Sequence, residues 1–305
     1  MQDINQAEKA QFWADYNELK AGKRPLSYSG CSDLLKGGWR LFLQKRYFTP
    51  QKKDTIGAAL GKQFEAMLLC KDPNERFRVI SDELSLITKE GRTEAETALQ
   101  TGKMLIRQAQ FDSLFSLREH IYRNGREYIQ VDNEYHFKPI DNPVLEAFFD
   151  PNAKHNERFG FDQSPVYYEL NGQKIPFRGE ADIFSADTNM IVDLKISTDD
   201  RRAFEQVAGE YNYDLQAAVY SYFLGCDACG LLVYHEPTHE LKTYKFATLE
   251  SGREKLKKAI GLYLQMLEYL QKEHAEAELI GEEISPTKIL FRTMLKQNDF
   301  KLHIL

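Results

Sequence analysis

Apolar and polar positions alternate along residues 173–184. Ile175, Phe177, Gly179, Ala181 and Ile183 share one parity, and Arg178, Glu180 and Asp182 share the other. A period of two with one apolar face predicts a single half-buried strand. Asp187-Thr-Asn189 is turn chemistry and Met190–Ile196 is a second strand, so the two form a hairpin. In the second strand Asp193 and Lys195 project to one face, and Val192, Leu194 and Ile196 to the other. Beside Asp182 they place two carboxylates and an ammonium on one surface. Residues 201–224 then predict a helix that carries Gln216 and Tyr220 four apart.

Residues 1–24 predict a helix with Phe12, Trp13, Tyr16 and Leu19 on its packing stripe. A second helix begins at Leu26-Ser-Tyr-Ser29, with Ser29 or Ser32 as its cap. Asp54–Leu69 is the first core helix, its Gly57, Ala58 and Gly61 allowing close approach to a sheet, and Glu65 emerges from its apolar surroundings. Lys71-Asp-Pro73 ends that helix and Phe77–Ile80 is a short strand. Residues 90–124 predict one long helix, and the proline-rich residues 138–165 an irregular excursion. Val166–Leu170 leads into Asn171-Gly172, a strong hairpin turn. Strands at 230–235 and 243–247 precede a long amphipathic helix over 249–277, and the last 25 residues carry no functional signal.

At 305 residues the chain is expected to form one domain: an N-terminal helical extension (1–53), a core (54–247) and a C-terminal helix and tail (248–305). No apolar run is long enough to span a membrane and residues 1–8 are polar and acidic, so a cytoplasmic location without membrane partners is expected. The net charge of −6 does not advertise a nucleic-acid binder. The cations are clustered, however. Lys36, Arg40, Lys45, Arg46, Lys52, Lys53 and Lys62 fall in a segment whose one acid is Asp54, interleaved with Trp39, Phe42, Tyr47 and Phe48. Such a segment suits a track for a nucleic-acid backbone. It equally suits a solvated helix face with its aromatic residues turned to the core.

Two carboxylates can hold Mg²⁺ while leaving positions for water and a phosphate oxygen, and a nearby lysine can orient the nucleophile or neutralise developing charge. Asp182, Asp193-x-Lys195 and Gln216-x-x-x-Tyr220, in this order, resemble the PD-(D/E)XK nuclease superfamily and its RecB-like branch. Leu26–Ser29, Leu60–Leu69, Tyr167–Gln173 and the Gln-x-x-x-Tyr helix are similar to phage and prophage exonucleases of the exodeoxyribonuclease VIII type, over residues 25–240. Where that family has histidine on the first core helix, this chain has Glu65, the residue type many superfamily members use there as a ligand, directly or through water.

The resemblance implies an α/β fold of the α+β mixed-sheet kind. Its restriction-endonuclease-like core would be a central mixed sheet flanked by helices, with extra helices at both ends. It further implies a Mg²⁺-dependent deoxyribonuclease, with Mn²⁺ as a substitute, that acts on double-stranded DNA ends in recombination or repair. Asp182, Asp193 and Glu65 would bind metal, Lys195 would assist the water, and Gln216 and Tyr220 would position the scissile strand or Lys195. Arg178 joins the basic segment as a DNA contact. A single-strand annealing recombinase is an implied partner, and an oligomer is compatible with the resemblance. Two alternatives stay open: an inactive nuclease-fold module for DNA or protein binding, and an endonuclease or flap nuclease. Cys226-x-x-Cys229 resembles part of an iron–sulfur motif of some relatives, but the third cysteine beyond it is lacking, so Cys31, Cys70, Cys226 and Cys229 are expected to be free thiols.

Overall fold

The computed structural model describes residues 6–49, 56–131, 134–139, 141–161, 165–198, 204–235, 238, 240–281 and 285–300. Its helices are α1 (Gln6–Lys20), α2 (Tyr28–Leu43), α3 (Ile56–Leu69), α4 (Pro73–Arg76), α5 (Lys89–Gln100), α6 (Gln108–Asn124), α7 (Pro143–Phe148), α8 (Phe204–Tyr211), α9 (Tyr213–Leu224), α10 (Glu250–Leu279) and α11 (Pro286–Phe300). A π-helical turn, Gln44–Phe48, follows α2. The strands are β1 (Phe77–Ile80), β2 (Met104–Arg107), β3 (Arg126–Val131), β4 (Glu134–Pro139), β5 (Lys154–Phe159), β6 (Val166–Leu170), β7 (Gln173–Phe177), β8 (Gly179–Ser185), β9 (Met190–Ser197), β10 (Ala228–His235) and β11 (Glu240–Lys245).

The central sheet is mixed, in the order β11-β10-β9-β8-β5, with β9 parallel to β10 and the remaining pairs antiparallel. Helices cover both faces because β9 is apolar on both. Ile191 joins the cluster built on α1, α2, α9, α10 and α11, while Val192 and Leu194 join the one containing Phe64, Met67 and Leu68 of α3 and Leu145 and Phe148 of α7. Mixed α/β architecture with a mixed central sheet and flanking helices is therefore as expected. Among the described residues no helix is long and apolar enough to cross a membrane.

Several local expectations are corrected. The alternation over 173–184 is two strands, not one. Leu26 N–H donates to Pro176 O and Arg178 N–H to Leu26 O, both at 2.8 Å, so β7 turns aside to pair with β6 and β8 alone enters the central sheet. Gly160 permits this crossing, since a Cβ there would come within 1.7 Å of Phe177 O. The helix over 90–124 is interrupted by Gly102 at φ +65°, and β2 runs parallel to β1 between α5 and α6. The excursion over 138–165 holds α7, capped by Asn142 Oδ1 on Val144 N–H (3.0 Å), and β5, an edge strand with polar outward side chains and hence no apolar alternation. Helix 201–224 is α8 and α9, broken at Asn212 (φ 57°, ψ 46°). The cap of α2 is Ser27, whose hydroxyl accepts from Gly30 N–H, rather than Ser29 or Ser32.

Candidate active site

The site begins where two strands part. Pairing of β8 with β9 runs to Ile183–Val192, while β9 continues along β10 through Asp193–Leu231 and Lys195–Val233. Leu194 N–H consequently has no strand partner on the β8 side and donates to Asp182 Oδ2 at 2.7 Å. Asp182 thus stands in for a ladder carbonyl.

Helix α9 lies over the opening. Gln216 Nε2 donates to Asp193 Oδ1 (3.0 Å) and to the Tyr220 hydroxyl (3.1 Å). Asp193, 5% exposed, forms an ion pair through Oδ2 with Lys195, and Oδ2 accepts no hydrogen bond of good geometry. Lys195 Nζ also lies 4.9 Å from the Tyr213 ring centre. Gln216 Oε1 is buried without a partner among the described residues. A cleft of about 290 Å³ is lined by Glu65 and Lys62 of α3, Asp182, Asp193 and Lys195 of the strands, and Tyr213, Gln216 and Tyr220 of α9.

The electrostatics follow from crowding three carboxylates at a half-closed cleft. Burial raises the Asp182 pKa well above the usual carboxylate range. Asp193 and Glu65 add to the rise, and Lys195 and the Leu194 N–H oppose it. Burial also raises Glu65, with Glu180 and Asp193 adding to the effect. For Lys195, burial acts downward but Asp193 and Asp182 outweigh it, and the ammonium is held charged above its ordinary value. Burial raises the Tyr220 phenol, so it keeps its proton while its oxygen accepts from Gln216.

The structure therefore brings Glu65, Asp182, Asp193, Lys195, Gln216 and Tyr220 to one cleft. Among the described residues no three His, Cys, Asp or Glu side chains are grouped so as to cage a cation. Asp182 is turned to Leu194 N–H, and Asp193 to Lys195 and Gln216.

The basic segment divides. Lys62 lines the cleft. Arg40 is exposed, Lys45 pairs with Asp33 at 2.5 Å, and Arg46 is folded over Phe42 with its Nε buried and unpartnered. Trp39 and Phe42 are buried, so those aromatic rings belong to the core rather than to a stacking surface. Lys52 and Lys53 lie outside the described residues. Arg178 is exposed and, with Arg158, approaches the Phe161 ring. The four cysteines are free, with Cys31, Cys226 and Cys229 buried. Sequence reasoning missed Tyr213, although a residue three before Gln216 falls on the same helix face.

No protein-family model matches the chain, and no curated protein matches it. Among solved structures it is similar to the crystal structure of SSO0001, at 15% identity over 67% of this chain and 84% of that one, with a TM-score of 0.28. A likeness at that level is no guide to function.

Proposed function

We propose that this chain is a metal-dependent nuclease that hydrolyses phosphodiester bonds of DNA, acting at double-stranded ends. One observation carries the proposal. Asp182, Asp193, Lys195, Gln216 and Tyr220, singled out by type and spacing, line the same cleft together with Glu65 from a distant helix. The strand pair β8–β9, followed by α9 and the parallel strand β10, is compatible with the nuclease core that the sequence resembles.

The residues fit a hard divalent cation. The donors are all oxygen, burial and mutual repulsion leave Asp182 and Glu65 short of positive charge, and Gln216 Oε1 is an acceptor without a partner. Asp182 and Asp193 would hold Mg²⁺ or Mn²⁺, with Glu65 completing the shell. When bound, the cation would supply Lewis acidity to the phosphate and a more acidic water. Lys195, kept charged by its two carboxylate neighbours, is suited to neutralising charge that builds on the phosphate oxygens. Gln216 fixes the Asp193 carboxylate by one amide hydrogen bond and the Tyr220 hydroxyl by another.

The engagement of Asp193 with Lys195 favours a second reading, a DNA-binding module without catalysis, because a cation would have to draw Asp193 away from Lys195. Incubation of linear, nicked circular and closed circular DNA with Mg²⁺ separates the two. We expect linear duplex to be degraded processively while closed circles persist. Equal rates on nicked circles and linear duplex would point to an endonuclease. Binding without cleavage in Mg²⁺ and in Mn²⁺ would establish the module.

A further inference from the structure

Between α8 and α9 the chain carries a small aromatic strip that the chemistry above does not use. Asn212, in the left-handed region, joins the two helices and is fixed by its Nδ2–H donating to Ser32 Oγ at 3.1 Å. This single reversed residue sets the flanking tyrosines parallel: Tyr211 and Tyr213 have ring centres 5.8 Å apart and planes 15° apart. The Tyr28 hydroxyl donates to Tyr211 O, which fixes the backbone beneath the first ring. Phe204 stacks on Tyr213 in turn, at 6.1 Å and 28°.

The strip has a direction. Tyr213 lines the cleft and lies against Lys195. Tyr211 is 51% exposed, and the ammonium of Lys36, an exposed residue of α2, stands 5.4 Å from its ring centre. A large aromatic residue held at a fixed angle and half exposed to water gains nothing for the core. A nucleobase offers the flat apolar face that would cover it, and a phosphate offers the charge that Lys36 would meet.

The geometry points to a platform for unpaired bases. Tyr211, backed by the stacked Tyr213, receives the single-stranded end of a DNA substrate on its exposed ring, with Lys36 holding the backbone, and leads that strand toward Asp193 and Lys195. This inference rests on the nuclease reading and adds the form of substrate: a duplex with an unpaired tail, or an end frayed by the protein. It also extends the aromatic part of the track. Trp39 and Phe42 are buried, and the α8–α9 junction adds the exposed ring of Tyr211 to that of Phe48.

The test measures binding of full-length protein in chelator, by fluorescence anisotropy, to a blunt DNA duplex and to the same duplex with an unpaired tail. The wild type should prefer the tailed duplex. Tyr211→Ala should lower the ratio of tailed to blunt affinity by roughly 5- to 100-fold, the range of one lost base–aromatic stack. Tyr211→Trp should keep the preference and Tyr211→Leu, which retains apolar bulk without a ring, should lose it, so a general loss of fold is distinguished from loss of stacking. Lys36→Ala should make binding of both duplexes less salt-dependent by about one counterion. An unchanged ratio in Tyr211→Ala, or a wild type without preference, overturns the platform while cleavage of linear DNA in Mg²⁺ keeps the nuclease reading. Tighter binding of an RNA tail than a DNA tail also overturns it. Absence of both binding and cleavage removes the two together.

Discussion

Gln216→Glu is the most informative single change at the cleft, because it alters charge without altering shape. The amide nitrogen that donates to Asp193 Oδ1 becomes an oxygen, so two carboxylates would face each other across 3.0 Å in a nearly closed space. At an effective dielectric of ~20 two unit charges at that distance of 3.0 Å repel by about 5 kcal/mol. Lys195, already paired with Asp193, recovers part of this, and we expect a net loss of about 3 kcal/mol when both groups are ionised. Gln216→Leu supplies the comparison. It forfeits a hydrogen bond to a charged acceptor (~2 kcal/mol) and one to Tyr220 (~1 kcal/mol), but it also removes the orphaned Oε1, whose burial costs ~1–3 kcal/mol, so its net effect is about 1 kcal/mol. The sign with pH separates them. The introduced carboxyl is favoured neutral in the folded state, so its folded pKa lies above its unfolded value of ~4.3. Its penalty is absent below that pH and grows as pH rises through the folded value. Urea unfolding in chelator from acid to mildly alkaline pH should show the gap between Gln216→Glu and Gln216→Leu opening as pH rises, and millimolar Mg²⁺ narrowing it. A gap that is constant with pH would refute the electrostatic account of the cleft.

Asp182→Asn should raise the unfolding midpoint of the metal-free protein at neutral pH while abolishing cleavage, since asparagine keeps an acceptor for Leu194 N–H and discards a carboxylate whose raised pKa makes its charge unfavourable; the advantage should vanish in acid, and scanning calorimetry at two pH values checks it. Asp182→Ala should instead lose about 1–3 kcal/mol by stranding that buried N–H, and equal midpoints for the two variants would refute the assigned bond. Glu65→Gln should raise the Mg²⁺ concentration for half-maximal cleavage by roughly 5- to 30-fold, the scale of one charge-assisted contact; no change would confine the metal site to Asp182 and Asp193. Gly252→Ala would bring a Cβ within 2.1 Å of Asp214 O and push α10 from α9, so a loss of about 1–3 kcal/mol is expected in urea unfolding, with reduced cleavage as Gln216 shifts.

Residue types and spacing were enough to assemble the cleft. Asp193 and Lys195 share a face because side chains alternate along a strand, and Gln216 and Tyr220 share one because they are a helical turn apart. What the local pattern could not show were the interruptions. Alternation continues through Arg178, yet the strand ends there because residues near Leu26, far away in sequence, supply its hydrogen bonds. Gly102 and Asn212 are single left-handed residues inside stretches whose composition reads as continuous helix, and β5 carries mostly polar side chains because it is an edge. The basic segment was legible in two ways. Cations interleaved with aromatic residues describe an amphipathic helix as well as a binding surface; Trp39 and Phe42 turn to the core, while Phe48 stays exposed.

The hydrogen bond from Leu194 N–H to Asp182 bears on what would survive if the proposed chemistry were lost. A descendant freed from any catalytic duty would still need an oxygen at residue 182 to keep the parted strands from leaving a peptide group stranded in the interior. Glu65 has no such second employment, for it makes no hydrogen bond or ion pair among the described residues. Decay of the cleft would then be uneven, with Glu65 drifting early and Asp182 late. In any close variant of this chain, an acid at 182 alone says little about activity, whereas an acid at 65 is the more telling relic of a working site.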